Sequence, residues 1–365
     1  MLAWLRHAAP AGALLRTVAV YDGDALVGIA PLWAEARRRG ARYRLLAAGT
    51  AARLEPLARP GLEREVGAAC AEVLARTSPR PATLSFEQVP PGSPWPQLLA
   101  AAWPGGPAAL VSRAAAVPAP AARLDRESFE GWLGSKSSNF RQQVRRTRRK
   151  LDAAGARFRL SGSGEELARD LESFAALHHA RWRGRGGSAA LTPAVERMLS
   201  DAGRELLPLG RFCLWSLEVD GTTISSQLFV AAGGELAYWL GGFDESWASH
   251  RPALQTLVVA IEDALGRGYE RADLGPGGQD YKYRLADEEE SLEFLDVVPP
   301  GPAYPLVRLE LAGRRAARGV RRRSSQLRHT LSSMRAAVPG PVGKAAGLFA
   351  RLPRRRPKKA SSRAS

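Results

Sequence analysis

Apolar positions along this chain recur with two different periods, and each change of period marks an element. The stretch RTVAVYDGDALVGIAPLWAEA, from Arg16 to Ala36, carries two apolar runs parted by Asp22-Gly23-Asp24, which predicts a β-hairpin. RYRLLAAG, beginning at Arg42, predicts a further strand. In EREVGAACAEVLAR the residues Val66, Ala69, Val73 and Leu74 fall on one side of a helix, and ATLSFEQVP then predicts a short buried strand. The Pro/Ala/Gly-rich residues 90–123 predict a loop and linker ending near Arg123.

Helical spacing dominates next. DRESFEGWLGS places Phe129, Trp132 and Leu133 on one face, with Asp125 as candidate N-cap. In SKSSNFRQQVRRTRRKLDAAG the residues Phe140, Val144, Thr147 and Leu151 form a buried stripe, Ser137 or Ser138 caps the start, and Gly155 ends it. GEELARDLESFAALHHARWRGRG and PAVERMLSDAGRELL predict two more amphipathic helices, the first with Leu167, Leu171, Phe174, Leu177 and His178 on its stripe. The period then falls to two. RFCLWSLEVDGTTISSQLFVAAGGELAYWLGGFD reads as three antiparallel strands joined at Asp220-Gly221 and Gly233-Gly234. RPALQTLVVAIEDALGRG is a helix with Pro252 in its first turn, YERADLGPGG a strand running into a glycine-rich turn, and QDYKYRL opens the next element.

The expectation is an α/β (α+β) protein of mixed sheets flanked by helices. An internal echo supports duplication: VYDGDALVGIAPLW at 20–33 and EVDGTTISSQLFV at 218–230 share an acidic-Gly turn followed by an apolar strand. A length of 365 residues has room for two such units. The division expected is 1–120, 121–300, and a tail from 301 to 365.

Composition changes this picture at one place. The net charge of +17 suggests a nucleic-acid binder until it is located. From Val307 onward there are 17 basic residues against one acid, Glu310, so the body of the chain is nearly neutral. The basicity belongs to the tail, where Leu327, Leu331, Met334 and Val338 give one short helical stripe. An anionic membrane surface or a nucleic acid is the partner this 307–365 segment suggests; a solubilising tail with no specific partner is the plain alternative. Two cysteines, Cys70 and Cys213, give no disulfide framework and no metal-ligand spacing, which favours a reducing, cytoplasmic setting. The first residues are interrupted by Arg6, His7 and Arg16 and are not read as a signal peptide. No Ser/His/Asp set, Walker motif or zinc pattern is present, so no metal is expected.

Four stretches in order carry a resemblance: SKSSNFRQQVRRTRRKLDAAG, LHHARWRGRG, VDGTTISSQLFVAAGGELAYWLGGFD and GYERADLGPGGQDYKYRLAD. Together they resemble the GNAT superfamily, in the branch of CelD-type, cellulose-biosynthesis-associated acetyltransferase domains, related to FemAB-type transferases. The resemblance implies tandem GNAT-like units and transfer of an acyl group to an amine. The implied co-substrate is an acyl-CoA (acetyl-CoA) or an aminoacyl-tRNA. The implied acceptor is a small molecule, an amino sugar, or a glycan or peptidoglycan precursor, handled in the cytoplasm or at the inner membrane face in cell-envelope or polysaccharide biosynthesis. One local departure bears on the donor: SHRPALQTL has no Gly-x-Gly phosphate cradle, and Pro252 removes an N–H from the first turn. A non-catalytic binding protein on a decayed GNAT scaffold is the alternative reading.

Candidate site residues follow from the motifs and the resemblance together. Lys282 beside Tyr281 matches the family's Tyr-Lys pair; its cation would stabilise a developing oxyanion, and Tyr281 would protonate the leaving group. Asp273 ends a predicted strand, and Gly275 and Gly277 permit close approach of backbone to a ligand. His178 is a candidate base for the amine, with a packed core histidine as the alternative. Arg181 and Trp182 follow it on the same helix. Tyr238, Gly242 and Asp244 come from YWLGGFD. Lys136 and Arg141 stand near a helix start as candidate phosphate ligands; a solvated basic face is the alternative.

Overall fold

The computed structural model of the protein describes residues 1–313 apart from Arg39, Pro107 and Arg185. The stripe expected at Leu327–Val338 lies outside the described residues. Met1–Val307 form one compact unit.

In the first half the elements run α1 (Leu2–His7), β1 (Leu14–Leu15), β2 (Val18–Asp22), β3 (Ala25–Ala30), β4 (Leu32–Arg37), β5 (Gly40–Leu45), β6 (Leu57–Ala58), α2 (Glu63–Arg76), β7 (Pro81–Val89), α3 (Trp95–Ala101) and β8 (Leu110–Arg123). The hairpin expected at Asp22-Gly23-Asp24 is β2–β3, with Gly23 at φ +56°. Pro31 interrupts the second arm, so that β3 pairs within a three-stranded sheet and β4 crosses into the main one.

The second half runs α4 (Phe129–Gly134), α5 (Ser138–Ala153), β9 (Arg157–Leu160), α6 (Gly164–Arg183), α7 (Pro193–Leu206), β10 (Phe212–Val219), β11 (Thr222–Ala232), β12 (Glu235–Phe243), α8 (Pro252–Gly266), β13 (Arg271–Asp273), α9 (Asp280–Leu285) and β14 (Glu288–Val298). Helix α5 buries Phe140, Val144, Thr147 and Leu151 and is capped by Ser137, whose hydroxyl accepts from the Phe140 N–H at 3.3 Å. Helix α4 is capped by Ser128 rather than by the expected Asp125; the Ser128 hydroxyl accepts from Gly131 N–H at 3.2 Å.

Eleven strands form one mixed sheet in the order β1-β4-β5-β7-β14-β8-β13-β12-β11-β10-β9. Its connectivity repeats. In each half a hairpin leads to a further antiparallel strand, β5 or β12. A helix, α2 or α8, then crosses over to a strand parallel to it, β7 or β13. A short helix and a long strand follow in both. These last strands, β8 and β14, pair antiparallel with each other, and each also borders the parallel strand of the opposite half. The fold is thus two α/β units of one connectivity in tandem, as the echo between 20–33 and 218–230 suggested.

The linker expected at 90–123 is instead α3 and the central strand β8. Prolines argue against a central strand because they cannot donate to the ladder. Pro118 and Pro120 escape the penalty by facing the glycine-rich turn after β13: their carbonyls accept from the N–H groups of Gly277 at 2.7 Å and Leu274 at 3.1 Å. That turn asks for acceptors and needs no donor from them.

Side chains of β10 show how both faces are covered. Phe212 and Leu214 pack with Leu167 and Phe174 of α6, whereas Cys213 and Trp215 pack with Val258 and Ile261 of α8. Each fully buried aliphatic side chain contributes about 1.5–3 kcal/mol to holding these layers.

Candidate active site

Strand β13 pairs with β12 through Glu235, Leu236 and Ala237 and then ends. Strand β12 continues to Phe243, so from Tyr238 onward its edge on that side has no strand partner. A cleft of about 440 Å³ opens at this parting. Its walls come from α6 (His178, Arg181, Trp182), β12, the start of α8 (Arg251, Pro252) and α9 (Tyr281, Lys282).

The lining contains Arg181, Arg251, Arg284 and Lys282 and no acidic residue. Among the described residues none of these four cations forms an ion pair. Arg181 lies over the Phe243 ring at 5.0 Å, and Arg284 over Phe140 at 5.3 Å. Helix α8 aims its N-terminus into the same space: Arg251 makes no side-chain cap, and Pro252 has no N–H. The first-turn N–H groups of Ala253 and Leu254 are left to whatever occupies the cleft, and together with the dipole they favour an anion.

Lys282 is 4% exposed. Its Nζ donates to the carbonyls of Gly275 and Pro276, both at 2.9 Å, which leaves one donor site on the ammonium. Burial lowers its pKa to about 8, against the opposing pull of Asp273. The two carbonyls are set by Asp273, itself buried, whose Oδ1 accepts from Gly275 N–H at 2.8 Å and whose Oδ2 accepts from Arg53 at 2.5 Å. Tyr281 and Tyr238 are hydrogen-bonded to each other, with Arg181 nearby. Burial raises both phenol pKa values, so both stay protonated near neutrality.

His178 lines the cleft with both ring nitrogens engaged. Nδ1 lies 3.1 Å from the Gly241 carbonyl, which can only accept, so Nδ1 carries the proton. Nε2 then accepts from the Ser188 hydroxyl at 2.7 Å. Burial lowers the pKa of this imidazole. In this arrangement it has no free lone pair for an incoming amine.

The remaining candidates lie beside the cleft or away from it. Gly242 lets β12 press on α6, since a Cβ there would stand 2.5 Å from the His178 nitrogen. A Cβ on Gly275 would stand 3.0 Å from the Tyr238 carbonyl. Gly277, at φ +109°, spends its N–H on Pro118. Asp244 caps the short 3-10 turn after β12 by accepting from Ser246 N–H at 2.9 Å. Lys136 is buried away from the cleft, ion-paired with Asp287 at 2.6 Å and 4.8 Å above the Trp132 ring. Arg141 donates to the carbonyls of Gly134 and Lys136.

Several lining residues were not singled out in the sequence. Arg251 and Arg284 stand in quoted segments there but were given no role. Gln227 stands 1% exposed in β11, where it opposes Gly241. Its signal was a glutamine at the point where the polar TTISS part of the strand passes into the apolar LFVAA part. Its Nε2 donates to Ser225 Oγ at 3.2 Å and to the Gly242 carbonyl at 3.3 Å, and its amide lies where a Cβ on Gly241 would be.

Residues 138–283 match the acetyltransferase (GNAT) domain family. The segment bearing the cleft is a GNAT-type domain. Similar solved structures extend the likeness over both halves. FemX shares 14% identity at a TM-score of 0.60, covering 81% of this chain and 90% of that one. A protein titled L-PGS from Bacillus licheniformis shares 13% at 0.51, covering 82% and 88%. A C-terminal domain from Agrobacterium fabrum, titled for a lysylphosphatidylglycerol synthetase, shares 13% at 0.54, covering 82% and 88%. The fold over both halves is therefore FemAB-like. None of the curated proteins is similar enough to match. Among the described residues no helix is long and apolar enough to cross a membrane.

Proposed function

We propose that this GNAT-type protein is an N-acyltransferase whose reaction takes place at the parting of β12 and β13, within residues 121–300, with residues 1–120 a degenerate half. The observation that carries the reading is a cleft lined by three arginines that form no ion pair among the described residues, with a bare helix N-terminus and a lysine held by two carbonyls in the same lining. An acyl donor on a phosphate-bearing carrier fits it. The phosphate sits at the start of α8 beside Arg251, and the linker follows the open edge of β12. From Phe243 to Tyr238 that edge measures about 16 Å at ~3.3 Å per residue. The acyl carbonyl then reaches Lys282.

There the acceptor amine attacks the carbonyl carbon; a C–N bond forms, and the bond to the carrier's sulfur or oxygen breaks. The remaining donor of Lys282 stabilises the oxyanion, and Tyr281, protonated and hydrogen-bonded to Tyr238, gives its proton to the leaving group and is restored by the proton that the attacking nitrogen sheds as the amide forms. Positioning and carbonyl polarisation supply most of the rate, with no covalent enzyme intermediate.

An acyl-CoA such as acetyl-CoA and an aminoacyl-tRNA both present phosphate and an activated carbonyl. The name lysylphosphatidylglycerol synthetase of one structural neighbour joins an aminoacyl group to an anionic lipid, which keeps the second donor in view. The acceptor is proposed to be an amine on an amino sugar or a cell-envelope precursor, met in the cytoplasm at the inner membrane face. The basic segment from 307 is proposed to bring the protein to an anionic surface, and deleting 340–365 is expected to abolish liposome or DNA binding.

Calorimetry with acetyl-CoA, longer acyl-CoAs and charged tRNA tests the donor. At least one is expected to bind with a Kd in the micromolar range (about −8 kcal/mol). No binding to any of them would favour a non-catalytic binding protein on the same scaffold.

A further inference from the structure

Residues 46–56, a loop of the first half, reach the second half's cleft at two points. The Thr50 carbonyl accepts from the Trp239 indole N–H at 2.8 Å. Arg53 donates through Nε to Asp273 and through Nη1 to Glu290, both at 2.5 Å. Trp239 is on β12 and Asp273 ends β13, so one loop is tied to both strands where they part. Trp239 is also the extra residue of a bulge, since Leu228 opposes Leu240 while Phe229 opposes Tyr238.

From Asp273 the bonds continue to the lysine. Its Oδ1 accepts from Gly275 N–H at 2.8 Å, and the carbonyls of Gly275 and Pro276 hold Lys282 Nζ at 2.9 Å. An unbroken series therefore runs from a first-half guanidinium to the second-half ammonium.

The loop keeps this shape against local preference. Ala47 and Arg53 have φ of +64° and +58°, and the Arg53 N–H bonds to the carbonyl of Gln88, itself at +55°. Positive φ at non-glycine residues persists where the surroundings impose it, and such residues gather at functional sites. The Arg53 Nη2 is buried with no hydrogen-bond partner among the described residues.

We propose that Arg53 is a positioning residue: through Asp273 and the Gly275-Pro276 turn it holds Lys282 in register with the open edge of β12, and the loop bearing it braces the parting of the two strands. This rests on the transferase reading for its consequence in rate, but the bracing itself is independent of it. The first half thereby acts on the second half's site without lining the cleft.

Hydrogen exchange on the full chain tests the bracing without any donor. In Arg53→Ala, peptides covering 274–285 are expected to exchange at least ten-fold faster, with β10 and β11 unchanged. Unchanged exchange in 274–285, or acceleration spread over the whole molecule, overturns the proposal. If Arg53→Ala does not fold, Trp239→Phe decides, because it keeps an aromatic side chain and removes the indole N–H; about three-fold faster exchange in 274–285 supports the brace and unchanged exchange defeats it. With a donor that turns over, Arg53→Ala is expected to lower kcat at least ten-fold with donor Kd within two-fold. Added guanidinium ion should restore much of that loss while leaving Lys282→Ala inert. A matched fall in kcat and donor affinity without rescue marks mere loosening and overturns the assignment. Wild-type protein that binds and turns over no donor defeats the transferase reading, and the exchange result still judges the brace.

Discussion

The two halves share one connectivity and differ in what they do with the start of the crossover helix. In the second half α8 begins with Arg251 and Pro252, has no acid in its first turn, and faces a cleft of unpaired cations. In the first half α2 begins with Glu63 and Glu65, which repel an anion from the same place in the topology. The strands below differ in the same sense. Arg42 and Arg44 of β5 share one carboxylate, Glu87, at 3.3 and 2.7 Å. Gly28 of β3 lets Val66 of α2 press directly on the sheet; a Cβ there would stand 2.4 Å from a Val66 methyl. One fold unit has an acidic helix start packed down on its sheet, while the other stays open and positive. Fold alone therefore does not make a site; the charge at one helix end and the packing of one glycine decide it.

Four changes sharpen or break this contrast. Lys282→Ala is expected to lower turnover about 100-fold, the scale of losing one oxyanion donor, with donor Kd little changed; near-normal steady-state rates would remove Lys282 from the reaction. A pH series gives the same residue a second check. With a pKa of about 8, Lys282 loses its proton as pH rises through that value, and the rate should fall with it. Because the unfolded chain keeps the proton to about pH 10.4, stability should rise with pH between the two values, and Lys282→Met should abolish that rise.

Gly242→Ala comes next in size. Its Cβ meets backbone atoms of Leu177 and His178 at 2.8 and 2.5 Å, so α6 must move away from β12. A loss of about 2 kcal/mol is expected, read as a lowered Tm, and an unchanged Tm would show that the contact relaxes freely. Ala253→Glu gives α8 the acidic first turn of α2, and donor affinity should fall about ten-fold; equal affinity would take the phosphate away from that helix. The smallest effect is the reciprocal one. Glu63→Gln with Glu65→Gln should leave donor stoichiometry at one per chain in calorimetry, and a second bound donor would show that the first half is shut by charge alone.

Much of the architecture was legible because it rests on local signals. The three-strand meander, the stripe of α5, the capping by Ser137 and the Asp-Gly turns each needed a few neighbouring residues. Strand β8 was not legible, because what excuses Pro118 and Pro120 is a turn more than 150 residues away along the chain. The cleft was half visible. Lys282, Tyr281, Tyr238, Arg181 and His178 stood in recognisable motifs and converge on it, whereas Lys136 and Arg141 came from an equally basic motif and lie elsewhere. Arg251, Arg284 and Gln227 went unremarked, since residue type alone does not tell a surface arginine from a cleft arginine.

Periodicity, turn chemistry and caps are properties of consecutive residues, so the sequence by itself determined the elements that rest on them and the internal echo, and left α3 and β8 out. Which cations remain unpaired depends on where distant carboxylates fall: Asp287 reaches Lys136, whereas among the described residues none reaches Arg181 or Arg251. Only the tertiary structure decided that, and it also decided which of two like helix ends meets open space. Electrostatic energy and burial depend on distances through space, and the order of residues constrains those distances only after the chain has folded.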